Sequence, residues 1–551
     1  MITIHNNWER VVEGQARTEL EDLLPEFLTS SRWFGGKAKT IRSAKFTDIL
    51  RVDRSDSPML LGFVEVSYSE RDIETYTILM TAAFEAEADR IRCDHAGAVI
   101  GAVKVLGPQG NHVGVLYDAL WNEECAYSLL SSMGQGAQFQ GTSGMVVGSA
   151  TALFDKVAER PHGTAISVMK AEQSNTSVKF GDRVIMKLYR RVEPGINPEL
   201  EIGRILTARN FRHSPSLVGA LEYHQRSNDP TTLVLAQTFV ANQGNAWEYT
   251  LSQLSHYFDR VSAGASNNRS FEPDFMDSAR LLGRRTGELH MALGETSDDP
   301  VFAAEACSSS YLQSRVQAMQ QSAIRALTLL RGRLSTLSET NQAQAQVVLG
   351  QQSLIVDRLE SLGSSPLTAM RIRCHGDYHL GQVLYTGEDF VIIDYEGEPA
   401  RPLAERRAKH IPVVDLAGMV RSFHYAAHAA LRQRGEFQTT QSFISWAEQW
   451  YQSARTAFLR GYHGIAGEAP FSPQSHQEFH LLLDTHLLDK ALYELAYELN
   501  NRPDWVDLPL TGILQCMNAS TATSDREVWG ERKENTGGSC ATGQPGSMVK
   551  Q

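Results

Sequence analysis

Two short segments carry most of the residues in this sequence that could do chemistry. They are CHGDYHLGQVLY, from Cys374 to Tyr385, and FVIIDYEGEP, from Phe390 to Pro399. Together they hold two His, four acidic residues and one Gln. The apolar run 391–393 predicts a buried strand that ends at Asp394. Because a buried carboxylate is costly unless it is paired or holds a cation, the two loops together predict a site for a hard cation and a polyphosphate.

The spacing of His375, Asp377 and Gln382 resembles the HxDxxxxN catalytic loop of protein kinases and aminoglycoside phosphotransferases. In such a loop, Asp377 would accept the proton of the acceptor hydroxyl or orient that hydroxyl. Gln382 stands at the position of the metal-binding Asn, and its amide oxygen can coordinate Mg²⁺. A polar turn in which His375 packs in the core is the alternative for an isolated HxD. The acidic residue after the following strand favours the catalytic interpretation.

Asp394 stands where kinases have a metal-binding Asp after a strand, although the motif here is Asp-Tyr-Glu. We therefore expect Asp394 to bind the metal ion. Glu396 lies two residues further on and could reach the same cation. A solvated turn that leads to Pro399 is the alternative interpretation for Glu396.

Lys187 lies in the middle of the predicted strand VIMKLYRR, between apolar neighbours. A lysine on a buried strand needs an anionic partner, which phosphates and a helix carboxylate would supply. Asn197-Pro198 predicts the start of the next helix, and Glu201, one turn into it, is the expected carboxylate. Glu199 is expected to complement the helix dipole instead. An edge-strand lysine that points to water is the alternative for Lys187.

The segment EQSNTS, from Glu172 to Ser177, is the candidate phosphate-binding loop. Ser174, Asn175 and Thr176 could contact phosphate through their hydroxyls and backbone N–H groups. The segment contains no Gly, unlike the corresponding loop of protein kinases. An ordinary hairpin loop is an equal alternative.

The predicted helix Thr485 to Trp505 has two different faces. The leucines at 488, 492, 495 and 499 form its apolar stripe, and the opposite face carries Lys490, Glu494, Tyr497 and Asn501. A line of cation, carboxylate, phenol and amide suits sugar hydroxyls, which need donors and acceptors together. On residue chemistry alone, a solvated helix face remains the first interpretation.

The whole chain limits the function classes that these segments could serve. A length of 551 residues predicts two to four domains. The formal net charge of −12 argues against a partner that is a nucleic acid or an anionic membrane. The scattered cysteines predict no zinc site, redox motif or disulfide framework. Without a signal peptide or a long apolar run, a cytoplasmic location is expected.

The order of elements predicts an α+β chain with a bilobal protein-kinase-like fold behind a cap domain. Short alternating stretches in 1–133 predict an N-terminal α+β cap with an antiparallel sheet. A Gly-, Gln- and Ser-rich connector, 134–164, precedes a β-rich nucleotide-binding lobe, 165–246. Residues 247–515 have mostly helical patterns and carry the catalytic and acceptor sites. The polar residues 516–551 predict a disordered tail.

Several long motifs occur in the order that is typical of bacterial maltokinases, which use ATP to phosphorylate maltose at its anomeric carbon. The matching segments are SRWFGGK, AEQSNTSVKFGDRVIMKLYRR, NPELEIGR, NQGNAWEYT, CHGDYHLGQVLY, VIIDYEGEP, DLAGMVRSFHYAA and LLDKALYELAYELNNRPDW. They extend from near the N-terminus to about Pro509. The sequence therefore resembles this family over nearly all of its length.

The resemblance implies an aminoglycoside-phosphotransferase-like kinase fold with a cap, and ATP and Mg²⁺ as cofactors. The implied site residues are Asp377 as catalytic residue, Gln382, Asp394 and Glu396 at the metal site, Lys187 with Glu201 as the nucleotide-site ion pair, and the polar face of Lys490, Glu494 and Tyr497 at the sugar. His379 is a further candidate sugar contact, with a packed loop histidine as an equal alternative. The family also implies that maltose 1-phosphate feeds α-glucan (glycogen) synthesis, and that the chain associates with trehalose synthase.

Two alternatives remain. The first is a related kinase that acts on glucosamine or another sugar, although Lys490 is ill suited to receive an ammonium group. The second is a catalytically silent kinase-like scaffold whose cap or tail binds a partner. The complete set of Lys187, Asp377, Gln382 and Asp394 speaks against a silent scaffold.

Overall fold

The computed structural model describes residues 1–52, 58–70, 72–108, 110–158, 165–169, 174–225, 229–262, 273–364, 366–399, 401–435 and 441–518. Most of the predicted tail therefore lies outside the described residues, although 516–518 belong to a helix that ends at Asn518. Glu172 and Gln173 of the candidate phosphate loop also lie outside them.

The N-terminal cap is a sheet with helices packed on it. Its elements are β1 Ile2–His5, α1 Gly14–Ser30, β2 Ile41–Arg51, β3 Leu60–Tyr68, β4 Ile73–Phe84, α2 Glu85–Asp94, β5 Val99–Gly107, β6 Gly110–Asp118 and α3 Glu123–Gly134. The strand order is β1-β5-β6-β4-β3-β2, and only the β1–β5 pair among these is parallel. Leu20, Leu24 and Phe27 of α1 are buried in the core beneath this sheet. The predicted α+β cap is confirmed.

The second sheet forms the smaller lobe of the kinase-like part. Its elements are β7 Gln138–Gln140, β8 Gly144–Ala150, α4 Phe154–Val157, β9 Ile166–Val168, β10 Thr176–Phe180, β11 Val184–Leu188, β12 Arg191–Val192, α5 Pro198–Ala208, β13 Leu217–Gln225 and β14 Thr231–Thr238. The order is β7-β8-β13-β14-β11-β10-β9, and all of these pairs are antiparallel. The hairpin of β10 and β11 turns at Gly181, whose φ is +53°.

The connector predicted for 134–164 is wrong in part, because 138–150 contains two strands of this second sheet. β8 pairs with β13 from Gly144 to Ala150. The glycines in this segment interrupt the alternation of apolar and polar residues that predicts a strand. Gly148 allows β8 to pack closely against α3, since a Cβ on it would lie 2.4 Å from the carbonyl oxygen of Ser132. The lobe therefore begins before residue 165.

The cap and the smaller lobe are joined by backbone pairing. β12 pairs with β4, with Arg191 opposite Tyr76 and Val192 opposite Thr75. Asp48 of β2 gives a second connection, because its carboxylate accepts backbone N–H bonds from residues 142, 143 and 144 and the hydroxyl of Tyr223 at 2.6 Å. One strand of the lobe, β12, is therefore part of the cap's sheet.

Arg190 lies at this junction and is completely buried. Its guanidinium donates to Thr176 Oγ1 at 2.8 Å and to the Asp118 carboxylate of the cap. The same group lies 4.7 Å from the ring centroid of Trp33, a cation–π distance. One side chain thus connects the cap to the strand that follows the candidate phosphate loop.

The larger lobe is helical and has its own core. Its elements are α6 Ala246–Ser262, α7 Pro273–Gly294, β15 Glu305–Ala306, α8 Ser309–Arg333, α9 Glu339–Gly350, α10 Gln352–Glu360, β16 Met370–Arg371, β17 Val383–Tyr385, β18 Phe390–Ile392, α11 Leu403–Arg406, α12 Val413–Gln433, α13 Gln441–Ala466, α14 His476–Asn501 and α15 Asp507–Asn518. α7 and α13 approach closely, because a Cβ on Gly283 would lie 1.9 Å from the backbone oxygen of Phe458. Through the part of the chain that the structure describes, no helix is long and apolar enough to span a bilayer.

Candidate active site

The catalytic loop is held in place by a buried carboxylate from α12. Asp415 accepts the backbone N–H of His375 at 2.8 Å and that of Gly376 at 3.0 Å. His290 of α7 contacts the same carboxylate at 2.9 Å. His375 is itself buried, and its Nε2 donates to the carbonyl oxygen of Ile393. His375 is therefore a packed core residue that ties the catalytic loop to the strand before Asp394.

The β17–β18 hairpin explains why Gln382 and Asp394 meet. Gln382 directly precedes β17, and Asp394 is the second residue after β18. The two strands pair antiparallel. Gln382 Nε2 donates to Asp394 Oδ2 at 2.8 Å. Asp394 has a φ of +65°, which is strained for a residue with a Cβ. Such strain is concentrated at functional sites, where the surroundings enforce it.

Lys187 of β11 reaches three carboxylates at once. Its Nζ lies 2.9 Å from Glu199, 2.9 Å from Asp394 and 3.2 Å from Glu396. Tyr189 also donates to Glu199, at 2.7 Å. The structure thus brings the predicted Lys187, Asp394 and Glu396 together, and the edge-strand alternative for Lys187 is wrong.

The predicted pairing of Lys187 with Glu201 is wrong, because Glu199 is the helix carboxylate in the pair. Glu201 instead binds Arg373 at 2.8 Å and Arg407 at 2.6 Å. Residues two apart on a helix point to different sides. Once Asn197 caps α5 and fixes its first turn, Glu199 points to β11 and Glu201 points to the larger lobe.

Burial and charge act against each other at Lys187. Burial alone would lower the pKa of Lys187, but attraction from Asp394, Glu199 and Glu396 raises it well above its usual value. Burial raises the pKa of Glu396 to about 6, and the nearby Asp394 and Glu199 add to that rise while Lys187 opposes it. Lys187 therefore stays charged, and its surroundings carry an excess of negative charge.

The same cluster fits a magnesium ion by its chemistry. Glu199, Asp394 and Glu396 each offer a carboxylate oxygen, and these atoms lie within 4.8 Å of one another. Mg²⁺ prefers oxygen ligands and phosphate oxygens together. Gln382 presents its NH₂ group to Asp394, so a turn of the amide would bring its oxygen to a cation instead. The predicted ligands Gln382, Asp394 and Glu396 are therefore adjacent and of the right type.

The candidate phosphate loop divides into two parts. Ser174 and Asn175 line the cleft between the lobes, and Asn175 Nδ2 donates to Glu396 at 2.9 Å. Thr176 does not line the cleft, and its role as a phosphate contact is contradicted. It begins β10, is buried, and accepts a hydrogen bond from Arg190. Side chains alternate along a strand, so Ser177 faces the cleft where Thr176 faces the cap.

The cleft between the lobes is open to solvent and has a volume of about 620 Å³. One wall is apolar and suits a flat ring, since it is lined by Met169, Ile185, Phe239, Leu384 and Ile393. Its polar part contains Lys187, Gln382, Asp394 and Asp377. Trp33 and Tyr76 of the cap also line it, which sequence reasoning missed.

A second, smaller pocket opens on the other side of Asp377, with a volume of about 60 Å³. Asp377, Gly397 and Arg406 line both the pocket and the cleft. Lys490 of α14 lies 3.4 Å from Asp377 Oδ1 and 2.9 Å from Glu398. The structure thus places Lys490, a predicted sugar contact, beside Asp377. We call this second space the acceptor pocket.

Three predicted sugar contacts lie outside the acceptor pocket. Glu494 is bound by Arg421 of α12 at 2.6 Å. Tyr497 is 47% exposed and lies one turn beyond the pocket. His379 caps a short helical turn, where its Nδ1 accepts the N–H of Gly381 at 3.0 Å. Glu494 and His379 therefore have local structural roles, and Tyr497 is an exposed residue.

Other residues of the pocket were missed by sequence reasoning. They are Glu398, Arg401, Asp489 and Tyr493. Tyr493 follows Lys490 by three residues and therefore lies on the same helix face. The Lys490 Nζ lies 4.8 Å from the centre of its ring. The pocket-facing side of α14 is thus His486, Asp489, Lys490 and Tyr493.

The two lobes, the cleft and the paired catalytic and metal loops define a kinase-like fold with an N-terminal cap. Residues 27–121 match the family model of the maltokinase N-terminal cap domain. This match confirms the resemblance to maltokinases that the sequence motifs indicate.

The chain is also similar to glucosamine kinases. One from Mycolicibacterium smegmatis is 24% identical over 357 residues, which cover 64% of this chain and 79% of that protein. Another from Streptacidiphilus jiangxiensis is 23% identical over 355 residues, covering 62% and 72%. A solved structure described as glucosamine kinase in complex with glucosamine, ADP and inorganic phosphate has a TM-score of 0.61 and 16% identity, covering 93% of this chain and 99% of that one. The predicted fold is confirmed.

Proposed function

We propose that this protein is a maltokinase, which transfers the γ-phosphoryl group of ATP to the anomeric hydroxyl of maltose and forms maltose 1-phosphate. The position of Asp377 carries the proposal. Its side chain lines both the cleft that holds the Lys187 cluster and the acceptor pocket. A hydroxyl beside Asp377 would therefore face a phosphate in the cleft.

Each residue of the site has a part in this transfer. Asp377 orients the acceptor hydroxyl and takes its proton as the hydroxyl attacks phosphorus. Lys490 fixes the Asp377 carboxylate from the sugar side. Lys187 binds the phosphates, and Glu199 holds Lys187 in position. Gln382, Asp394 and Glu396 would hold the Mg²⁺, which neutralises charge on the phosphates when bound. Ser174 and Asn175 contact the phosphates.

The charge of the acceptor pocket favours a neutral sugar over an amino sugar. Among the described residues, each carboxylate that lines the pocket already has a partner. Asp377 and Glu398 contact Lys490, Asp489 contacts Arg315, and Glu405 contacts Arg401. Asp415 is occupied by backbone N–H groups and His290. An ammonium group would meet cations here without a carboxylate free to bind it.

A glucosamine kinase is the second candidate, because two relatives and a solved structure that are similar to the chain carry that name. The match of the cap to the maltokinase family supports the first candidate. With maltose as substrate, we also propose that the product feeds α-glucan synthesis and that the chain associates with trehalose synthase.

A sugar panel with ATP and Mg²⁺ tests the proposal. Purified protein is incubated with maltose, glucose, glucosamine or an aminoglycoside, and ADP release is followed. ³¹P NMR then locates the phosphate. We expect maltose to give the highest kcat/KM and an anomeric phosphate. Preference for glucosamine would establish the second candidate, and no turnover of any sugar would favour a silent scaffold.

A further inference from the structure

One residue on the boundary between the cleft and the acceptor pocket has no part in the transfer described above. Asp377, Gly397 and Arg406 line both spaces. Asp377 is the proposed proton acceptor, and Gly397 has no side chain to offer. Of the cations that the described residues place around the two spaces, Arg406 alone borders both. Its side chain therefore lies where the phosphate side meets the acceptor side.

Close packing of two loops fixes the stem of Arg406 at this boundary. A Cβ on Gly376, the residue before Asp377, would lie 3.5 Å from the Cα of Gly397. A Cβ on Gly397 in turn would lie 3.4 Å from the Cβ of Arg406. Gly397 also has a φ of +72°, which favours glycine. The side chain of Arg406 therefore begins beside the loop that follows Asp394, which itself packs on the catalytic loop.

The guanidinium of Arg406 is held more loosely than that of its neighbour. Arg407 donates to both carboxylate oxygens of Glu201, at 2.6 and 3.1 Å. Arg406 donates only to the backbone oxygen of Glu396, at 3.3 Å, and lies 3.6 Å from Glu193, which is longer than a hydrogen bond. Its Nε has no partner among the described residues, and the side chain is only 10% exposed. A largely buried guanidinium without a hydrogen-bonded carboxylate is suited to receive an anion.

The transfer moves negative charge across this boundary. The sugar oxygen forms a bond to the γ-phosphorus while the bond from that phosphorus to the bridging oxygen of ADP breaks, and the hydroxyl proton goes to Asp377. Charge on the phosphoryl group is then spread over its three equatorial oxygens. Lys187 lies on the cleft side, and Lys490 is already bound to Asp377 and Glu398. The planar fork of an arginine matches two phosphoryl oxygens at once.

We propose that Arg406 is a further catalytic residue, whose guanidinium binds the equatorial oxygens of the phosphoryl group in transit. The contact stabilises the charge of the transition state between the cleft and the acceptor pocket. This inference rests on the proposed phosphoryl transfer, although it holds for either candidate sugar. Because the contact is made fully only in the transition state, its loss lowers kcat more than it raises KM for ATP.

The first test compares three replacements of Arg406 in steady-state kinetics, with ATP, Mg²⁺ and the sugar that is turned over best. Arg406→Gln should lower kcat roughly 100-fold, as for the loss of one donor to a transition-state oxyanion, with KM for ATP within about threefold of wild type. Arg406→Lys should recover part of kcat, because it keeps the charge without the fork. Guanidinium ion added to Arg406→Ala should restore kcat at least about tenfold, which a purely structural role would not show.

Arg407→Gln is the matched control. Arg407 is the adjacent residue and carries the same charge, but it lines neither space. Its replacement should lower the melting temperature and leave kcat within about twofold of wild type. An unchanged kcat in Arg406→Gln would overturn the proposal, as would an equal fall in kcat in both variants or a failure of guanidinium to restore Arg406→Ala.

A second measurement needs no turnover. Calorimetry compares the binding of ADP with Mg²⁺ alone and with aluminium fluoride added, since that ion resembles the phosphoryl group in transit. Aluminium fluoride should tighten ADP binding at least about tenfold in the wild-type protein and not in Arg406→Gln, while ADP alone binds both equally. Equal tightening in the two proteins would remove Arg406 from the transition state.

The proposed function and the role of Arg406 fail separately. Turnover of maltose with an unchanged kcat in Arg406→Gln would leave the function and remove Arg406. Preference for glucosamine with a 100-fold loss in Arg406→Gln would remove maltose as the acceptor and leave Arg406. If no sugar is turned over, the proposed function is wrong, and the aluminium fluoride measurement decides for or against Arg406.

Discussion

Two half-buried lysines mark the two sides of the reaction, and their surroundings differ in charge. Lys187 in the cleft contacts three carboxylates, those of Glu199, Asp394 and Glu396. Lys490 in the acceptor pocket contacts two, those of Asp377 and Glu398, and Arg401 binds Glu398 as well. The first cluster has one cation for three anions, and the second has two cations for two anions.

The difference indicates which ligand each side accepts. An excess of negative charge in a partly buried cluster is relieved by a divalent cation, and that cation brings phosphates with it. A balanced cluster gives no net attraction to a charged ligand, so hydroxyls compete well for its donors and acceptors. One side of the reaction therefore selects by charge, and the other selects by hydrogen bonding.

Asp377 belongs to both sides, so its replacement should have the largest effect. Asp377→Asn keeps the shape of the side chain and removes the proton acceptor, and we expect kcat to fall about 1000-fold. Lys490 retains Glu398 as a partner, so the fold and ATP binding should persist. Steady-state kinetics measure kcat, and a thermal-shift titration with Mg²⁺ and ATP measures the stability of the fold and the binding of ATP. A variant with more than a tenth of the wild-type kcat would remove Asp377 from the catalytic role.

Replacements of Glu199 and Glu201 can be compared to test the cluster of carboxylates around Lys187. Glu199→Gln should lower kcat/KM for ATP roughly 100-fold, because Lys187 loses a charge-assisted hydrogen bond that holds it in position. Glu201→Gln should instead destabilise the fold by about 2–4 kcal/mol, because the buried Arg373 loses its counter-ion. Kinetics and urea unfolding separate the two effects, and the reverse result would restore Glu201 as the partner of Lys187.

Replacing Tyr493 and Tyr497 of α14 tests the acceptor pocket and should have the smallest effects. Tyr493→Ala should raise KM for maltose several-fold, because its ring lines the acceptor pocket. Tyr497→Ala should change KM by less than about twofold, since exposed residues away from a site have small effects. Initial rates over a range of maltose concentrations measure both. A larger effect at Tyr497 would return the sugar site to the helix face predicted from the sequence.

The adjacency of the candidate metal residues could be predicted because their geometry is local in the chain. A hairpin of two short strands separates Gln382 from Asp394, so the sequence itself brings them together. Lys187 could be predicted for a similar reason, since a lysine between apolar strand residues demands an anion. The elements of the larger lobe follow their periodic patterns, and the predicted helix Thr485 to Trp505 overlaps α14, which begins earlier, at His476, and ends at Asn501.

Contacts that depend on the rotation of a helix could not be predicted. Glu199 and Glu201 are both acidic and near the start of α5, and only the packed structure decides which of them points to β11. The contacts of the polar face of α14 could not be predicted for the same reason. Glu494 has an internal partner, Arg421, from a helix distant in sequence. Asp415, which holds the catalytic loop, is also distant in sequence and has no local signal.

The pairing of β12 with β4 has a consequence for the order in which the protein is made. The chain emerges from the ribosome N-terminus first, so strands β1–β6 are available before residues 191–192. Until then, Thr75 and Tyr76 of β4 lack their partners in β12, and Asp118 lacks the guanidinium of Arg190. The cap is thus completed by residues that belong to the kinase lobe. A chain cut after residue 134 would lack β12 and would leave the buried Asp118 without the guanidinium of Arg190.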